Sequence, residues 1–98
     1  MFIQLIDSHM SESDAALTAL HDEWERATDS RKTVRRSITA RDRDDQTRIV
    51  SLVFFDSYES AMENSNLPET DEMATKMRAL VDDVNFVNLD VIDDRSFT

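Results

Sequence analysis

The chain has 98 residues, which is enough for a single domain, residues 1–98, and too few for two. It contains no cysteine and no glycine, which excludes disulfides, thiolate metal sites and the glycine-rich loops that bind phosphate groups. The formal net charge of −10 opposes binding to the phosphate backbone of nucleic acids.

An apolar strand and an amphipathic helix are predicted at the start of the chain. Residues 2–9 carry apolar side chains on both faces, which is typical of a strand in the centre of a sheet. Asp7 interrupts this apolar run, so neither a secretory signal nor a membrane-spanning segment is expected there. Apolar residues then recur at steps of three and four, which predicts a helix over residues 13–29 that Ser11 or Ser13 can cap.

Two further strands are predicted, of which the second is the more apolar. Alternation in residues 33–41 places Val34, Ile38 and Ala40 on an inward face. The arginines of the same segment suit a strand at the edge of a sheet, because charge discourages further pairing. Residues 47–55 have apolar side chains on both faces, so this strand must be covered on both sides.

A proline divides the second helical region of the chain. Asp56 or Ser57 can cap a helix that ends ahead of Pro68, because proline disfavours helical structure in the residue before it. Pro68 suits the first turn of a third helix, which Ser65 or Asn66 can cap.

The order of these elements predicts the fold class. A last apolar strand over residues 84–92 completes the order strand, helix, strand, strand, helix, strand. Right-handed crossovers convert this order into a ferredoxin-like α+β fold, with a four-stranded antiparallel sheet and helices on one face. The first and third strands are central. Because the third strand is also apolar on the face without helices, we expect a homodimer in which two sheets pack face to face.

The region from the third strand to the third helix resembles a known protein class. Residues 53–69 contain the pattern Phe-x-Ser-x-Glu-x-Ala-x-x-Asn-Ser-x-x-Pro-Glu. This pattern resembles the strand-to-helix segment of small actinobacterial dimeric α/β-barrel proteins of the antibiotic-biosynthesis-monooxygenase-like superfamily, and residues 86–91 add a weaker similarity. The resemblance implies a homodimer with facing sheets and a pocket between each sheet and its helices.

The superfamily includes oxygenases of aromatic polyketides that need neither metal nor flavin, haem-degrading enzymes and isomerases. Haem-degrading members resemble one another in an Asn–Trp–His set, with Asn on the first strand and His on the second helix. Here the first strand has no Asn, Trp24 lies on the first helix, and the second helix has no His. The resemblance therefore does not imply haem degradation, and no cofactor is expected.

The chain offers few candidates for acid–base catalysis. His9 and His21 are the side chains whose ordinary pKa allows proton transfer near neutral pH, and Tyr58 is a third candidate. The alternative interpretation is that both histidines lie at the surface or at the rim of the core. No metal site is expected, because no convergent set of ligands can be recognised.

A candidate ligand pocket combines aromatic, methionine and polar residues from several predicted elements. Its members are Trp24, Arg36, Tyr58, Met62, Asn64, Met73 and Met77. Trp24 and the methionines can equally be core residues, and the helix break before Pro68 can explain Asn64. Arg36 is expected to point inward, where Asp7 or Asp90 could pair with it, unless it extends to water at the sheet edge.

Two functions are compatible with these features. The first is binding of a small apolar or aromatic molecule between sheet and helices, without catalysis. The second is cofactor-free oxygenation of an aromatic, polyketide-like substrate. No nucleic-acid or membrane partner is expected, and the absence of cysteine favours the cytoplasm.

Overall fold

An antiparallel sheet and helices on one of its faces form the described part of the chain. The computed structural model describes residues 1–10, 15–29 and 31–97. Its elements in chain order are β1 (Phe2–His9), α1 (Ala15–Ala27), β2 (Arg36–Arg41), β3 (Arg48–Phe55), α2 (Tyr58–Ser65), α3 (Pro68–Leu80) and β4 (Asp83–Asp90). The predicted ferredoxin-like α+β class is confirmed, with the second helical unit divided into α2 and α3.

The strand order of the sheet is β2-β3-β1-β4, with β1 antiparallel to both of its neighbours. The two strands that are apolar on both faces, β1 and β3, therefore lie in the centre, as the sequence predicts. The arginine-containing strand β2 lies at one edge and β4 at the other. Each residue of β1 has a partner on both sides.

Cross-strand register decides which residues face the helices. The residues of β1 and β3 that face them are Phe2, Gln4, Ile6 and Ser8, which pair in that order with Phe55, Val53, Ser51 and Ile49. Phe2, Ile49 and Phe55 are buried, which identifies this side as the one covered by helices. The two polar residues Gln4 and Ser51 lie in the middle rows of this face.

Two apolar clusters join the helices to the sheet, one near each end of the central strands. The first cluster consists of Met10, Leu17, Leu20, Ile49 and Met77, with Ile6, Met73, Leu80, Val81 and Val84 packed against it. The second consists of Phe2, Phe55 and Ala61, with Val34, Val53 and Met62 packed against it. The buried strand residues of these clusters, Phe2, Ile49 and Phe55, belong to the end rows, and Gln4 and Ser51 lie in the rows between them.

The opposite face of the sheet is apolar and carries none of the described helices. One row crosses all four strands through Ile38, Leu52, Leu5 and Val87. The next row begins with Arg36 at the edge and continues through Phe54 and Ile3 to Leu89, which is 38% exposed. We refer to the face formed by these two rows as the open face.

The prediction that Val34, Ile38 and Ala40 share an inward face was wrong. Val34 packs against the second apolar cluster, but β2 begins only at Arg36, so Val34 does not follow the alternation of the strand. Arg36 and Ile38 pair with Phe54 and Leu52 and so lie on the open face, and Ala40 lies on the same side of the sheet; all three are exposed. Asp7, one of the two expected partners of Arg36, pairs instead with Arg48 at 3.0 Å.

The helix caps predicted from the sequence are confirmed for α2 but not for α3. Ser57 caps α2 by accepting a hydrogen bond from the backbone N–H of Ser60 at 3.1 Å, as predicted. The predicted cap of α3 was wrong, because Leu67 occupies that position and makes no side-chain cap bond. The caps proposed for α1, Ser11 and Ser13, lie outside the described residues. Among the described helices, none has the length and apolar character needed to cross a membrane.

A turn without glycine connects β2 to β3. The Asp42 carboxylate accepts hydrogen bonds from the backbone N–H groups of Asp44 and Asp45, at 2.8 and 3.2 Å. Asp45 in turn accepts from the N–H and hydroxyl of Thr47, at 3.0 and 2.7 Å. These local bonds replace the conformational freedom that glycine commonly supplies in a tight turn, and they lower the pKa of both aspartates.

Candidate ligand-binding cavity

A cavity of about 640 Å³ lies between the sheet and its helices. The strand residues that border it are Gln4, Ile6, Ser8, Arg36, Ser37, Ser51, Val53, Phe55 and Phe86. The bordering residues from helices and connections are Leu17, His21, Trp24, Glu25, Lys32, Val34, Arg35, Asn64, Ser65, Thr70, Asp71, Met73, Ala74, Met77 and Arg78. The volume lies within the range that small-molecule sites occupy in proteins.

The floor of the cavity carries polar side chains in both middle rows of the sheet, beside the apolar Ile6 and Val53. In one row, Val53 lies between its cross-strand partners Gln4 and Ser37. In the other row, Ser51 lies between Ile6 and Thr39. The Ser51 hydroxyl lies 3.3 Å from that of Thr39. Such side chains do not complete an apolar core, so the helices close over the two apolar clusters and leave the space between them open.

Trp24 contributes aromatic surface to the wall of the cavity, and the buried Phe55 borders it. The indole N–H of Trp24 donates a hydrogen bond to the Thr70 hydroxyl at 2.9 Å, which fixes the ring of α1 against α3. Met73 and Met77 add flexible thioether side chains from α3. Aromatic and methionine walls over a polar floor suit a flat ligand that carries polar substituents.

Asn64 is the buried polar side chain of the cavity wall without a complete set of partners. It is 6% exposed, and its Oδ1 atom has no hydrogen-bond partner among the residues that the structure describes. A buried acceptor without a donor costs about 1–3 kcal/mol, which a bound donor group can recover. The last turn of α2 positions this side chain, since Asn64 lies one residue before Ser65, the end of that helix.

The two histidines of the chain occupy different environments. His21 borders the cavity, and burial lowers its pKa below the ordinary value of 6.5, an effect that Asp22 partly opposes. His9 lies at the end of β1, where its Nδ1 atom is 2.8 Å from a carboxylate oxygen of Asp83. This hydrogen bond raises the pKa of His9, with further support from Asp45. His21 is therefore the neutral imidazole of the site, able to accept a proton at neutral pH.

Solved structures share this fold at low sequence identity. A Deinococcus radiodurans protein provisionally assigned to the antibiotic biosynthesis monooxygenases superposes with a TM-score of 0.78 at 16% identity, covering 100% of this chain and 99% of the other. SnoaB, a cofactor-independent oxygenase from Streptomyces nogalater, gives a TM-score of 0.81 at 13% identity, covering 95% and 94%. Rv0793 from Mycobacterium tuberculosis gives 0.74 at 20% identity, covering 98% and 100%. The fold is that of the antibiotic biosynthesis monooxygenases.

The monooxygenase-like fold agrees with the resemblance that the sequence shows. No protein-family model and no curated protein sequence matches the chain. Shared architecture at these identities establishes the fold, and the function has to be argued from the residues of the cavity.

The structure brings most of the sequence-predicted site residues to the cavity of this monooxygenase-like fold. Its lining includes the candidates His21, Trp24, Asn64, Met73 and Met77; Arg36 also borders it, but its pairing with Phe54 places its side chain on the open face. Tyr58 does not border the cavity; it is 50% exposed, and its ring meets that of Phe2 edge-on at 5.5 Å. Met62 packs against the second apolar cluster, and His9 lies outside the lining. Within the described residues, no group of histidine and carboxylate side chains is placed to hold a metal ion.

Several cavity residues of the monooxygenase-like fold were missed from the sequence. Gln4 and Ser51 are polar residues at inward positions of two apolar strands, and Lys32 lies in the connection between α1 and β2. Gln4 and Ser51 interrupt the series of apolar residues on the inward face of their strands, and this interruption could have identified them as cavity residues. Lys32 carried no such pattern, because its position depends on how the connection returns to the sheet.

The opposite pKa shifts of the histidines predict two separate titrations by NMR. We expect the His9 ring signal to titrate above pH 6.5 and the His21 signal below it. Asp83→Asn should lower the pKa of His9 and leave that of His21 unchanged.

The stabilisation from the His9–Asp83 pair is present below pH 6.5 and is lost as the pH rises through the pKa of folded His9. For His21 the sign is reversed, and stability falls as the pH drops below 6.5, because the unfolded chain then binds the proton more readily. Two coincident titrations would contradict the assigned environments.

Proposed function

We propose that the chain binds a small aromatic molecule in the cavity between its sheet and helices. The observation that carries this proposal is the unpartnered Oδ1 atom of Asn64, which is buried in the wall of a cavity of about 640 Å³. Trp24 offers aromatic surface to the same space, and Gln4, Ser37 and Ser51 offer hydrogen bonds from the floor. The ligand that fits is flat, largely apolar and supplied with a hydroxyl group as donor to Asn64.

Calorimetric titration with hydroxylated naphthalenes tests the binding proposal. Asn64→Ala should weaken binding about tenfold, since it removes one hydrogen bond formed away from water. Asn66→Ala is the matched control, because Asn66 is exposed and does not border the cavity. Equal affinities for both variants and the unmodified chain would contradict the role of Asn64.

Cofactor-independent oxygenation is the second candidate function, and the neutral imidazole of His21 favours it. His21 can accept a proton from an activated aromatic methylene, and the resulting carbanion can react with dioxygen. Loss of water from the hydroperoxide then gives a carbonyl, so that CH₂ and O₂ become C=O and H₂O without an external reductant. The structural similarity to SnoaB, a cofactor-independent oxygenase, supports this candidate.

Oxygen uptake with anthrone-type substrates separates the two functions. For an oxygenase, His21→Ala should reduce the rate about 100-fold or more, because it removes the general base. His9→Ala is the matched control, since His9 lies outside the cavity lining. Binding without oxygen uptake across such substrates would leave the chain as a binding protein.

We also infer that two copies pair through the open face. Its rows carry apolar side chains on all four strands, including Leu52 and Leu5 in the centre and the exposed Val87 and Leu89 on β4. An apolar surface of this extent is uncommon on a monomer. A second identical face covers it by twofold symmetry, which buries both copies at once.

A further inference from the structure

Trp24 lies between two spaces on the helix side of the sheet. It borders the cavity of about 640 Å³ and also a second space of about 40 Å³ between α1 and α3. Leu20 and Ala27 border the second space alone, whereas Met73 borders both. Because the Trp24 side chain has unfilled volume on two sides, packing alone does not fix the position of its ring.

A hydrogen bond between two helices supplies the missing constraint. The indole N–H of Trp24 donates to the hydroxyl oxygen of Thr70, and the distance between the two heavy atoms is 2.9 Å. Thr70 also borders the larger cavity, and the contact is partly buried. The indole ring has a single N–H donor, so this bond fixes the direction in which the edge of the ring points.

The backbone at each end of this hydrogen bond is held by its own helix. The carbonyl oxygen of Trp24 accepts from the N–H and the hydroxyl of the fully buried Thr28, at 3.0 and 2.7 Å. The N–H of Thr70 donates to the carbonyl oxygen of Leu67 at 3.1 Å, in the first turn of α3 that Pro68 begins. The Thr70 hydroxyl is therefore a fixed point against which the Trp24 ring is oriented.

From this arrangement we propose that Thr70 is a positioning residue for the ligand. Its hydroxyl holds the Trp24 ring as a flat wall of the cavity, so that the ring does not turn into the space between α1 and α3. The proposal rests on the proposed binding function and adds to it the residue that prepares the aromatic wall. A ring that is already oriented favours binding, because the ligand does not have to immobilise the side chain itself.

Fluorescence of the ligand-free chain tests the first half of this proposal. Trp24 is the only tryptophan of the sequence, so the indole emission reports on this side chain alone. Thr70→Val keeps a similar shape and removes the acceptor, and we expect a fast component to appear in the time-resolved anisotropy. Thr70→Ser restores a hydroxyl and should restore the slow decay. Identical anisotropy decays for Thr70→Val and the unmodified chain would overturn the proposal.

Calorimetric titration with 1-naphthol tests the second half. Thr70→Val should weaken binding about fivefold, which corresponds to the cost of immobilising one side chain, and Thr70→Ser should bind nearly as well as the unmodified chain. In a Trp24→Phe background Thr70→Val should have no further effect on affinity, because phenylalanine has no N–H to orient. A fivefold loss that persists in that background would overturn the assignment to Trp24.

Thr75→Val is the matched control, since Thr75 is exposed on the same helix and does not border the cavity. Its hydroxyl donates to the backbone oxygen of Asp71 at 3.1 Å, so the substitution also removes one hydrogen bond. An equal loss of affinity in this control would overturn the specific role of Thr70. Faster ring motion in Thr70→Val with unchanged affinity would overturn the positioning role and leave the proposed binding function intact. Failure of 1-naphthol to bind the unmodified chain would contradict the binding function and this proposal with it.

Discussion

Leu52→Asp is expected to convert a dimer of this chain into monomers at micromolar concentration. Leu52 lies in the centre of the open face, between Ile38 and Leu5 in the row that crosses all four strands. In the proposed dimer the introduced carboxylates would be buried without partners near the twofold axis. Removing an unpaired charge from water costs several kcal/mol. A dimer that loses this much binding free energy dissociates at micromolar concentration.

Sedimentation equilibrium measures this effect directly, as a change from twice the mass of the chain to the mass of one. Ala19→Asp is the control, because Ala19 is exposed on α1, on the other side of the sheet from the open face. Circular dichroism shows whether each variant retains its folded structure. An unmodified chain that sediments as a monomer would contradict the proposed pairing, and so would a Leu52→Asp variant that remains a folded dimer.

The architecture of the chain was predictable because it depends on patterns that recur along whole elements. Strands β1 and β3 are apolar on both faces, and this property identified them as the central strands before any topology was assigned. Pro68 located the boundary between α2 and α3, since proline suits the first turn of a helix and no later one. Each of these features involves only local sequence and its period.

The details of the site were less predictable because they depend on tertiary arrangement. Val34 packs inward but lies outside β2, so it does not determine which face Arg36 occupies, and pairing with Phe54 places Arg36 on the open face. The Oδ1 atom of Asn64 lacks a partner because of which donors the fold brings near it. The pattern of apolar and polar residues along the chain does not predict this arrangement. Lys32 borders the cavity only because of the course of the connection from α1 to β2.

Polar residues in the middle rows of the sheet explain why a cavity forms in this fold. Gln4 and Ser51 lie between the buried strand residues of the two apolar clusters on the helix-facing side, where an apolar pair would join the clusters. Replacing Ser51 by an apolar residue would favour closure of the cavity at the expense of ligand binding. The stability of the sheet and the space for a ligand therefore depend on different rows of the same strands.

Phe55→Ala is expected to lower the free energy of unfolding by about 3 kcal/mol. Phe55 is 2% exposed, and its ring lies 6.3 Å from that of Phe2 in the second apolar cluster. Truncation removes apolar burial and leaves a void that the sheet backbone cannot fill, because Phe55 belongs to the central strand β3. For a domain of this size the melting temperature should fall by roughly 15 °C.

Urea denaturation measures the change, and Phe97→Ala provides the matched control. Phe97 is 89% exposed in the C-terminal tail, so the same truncation there should change the free energy of unfolding by less than about 0.5 kcal/mol. Both variants are compared at one protein concentration, because dimerisation would make stability depend on it. Equal denaturation midpoints for the two variants would contradict the position of Phe55 in the core, and with it the second apolar cluster that bounds the cavity.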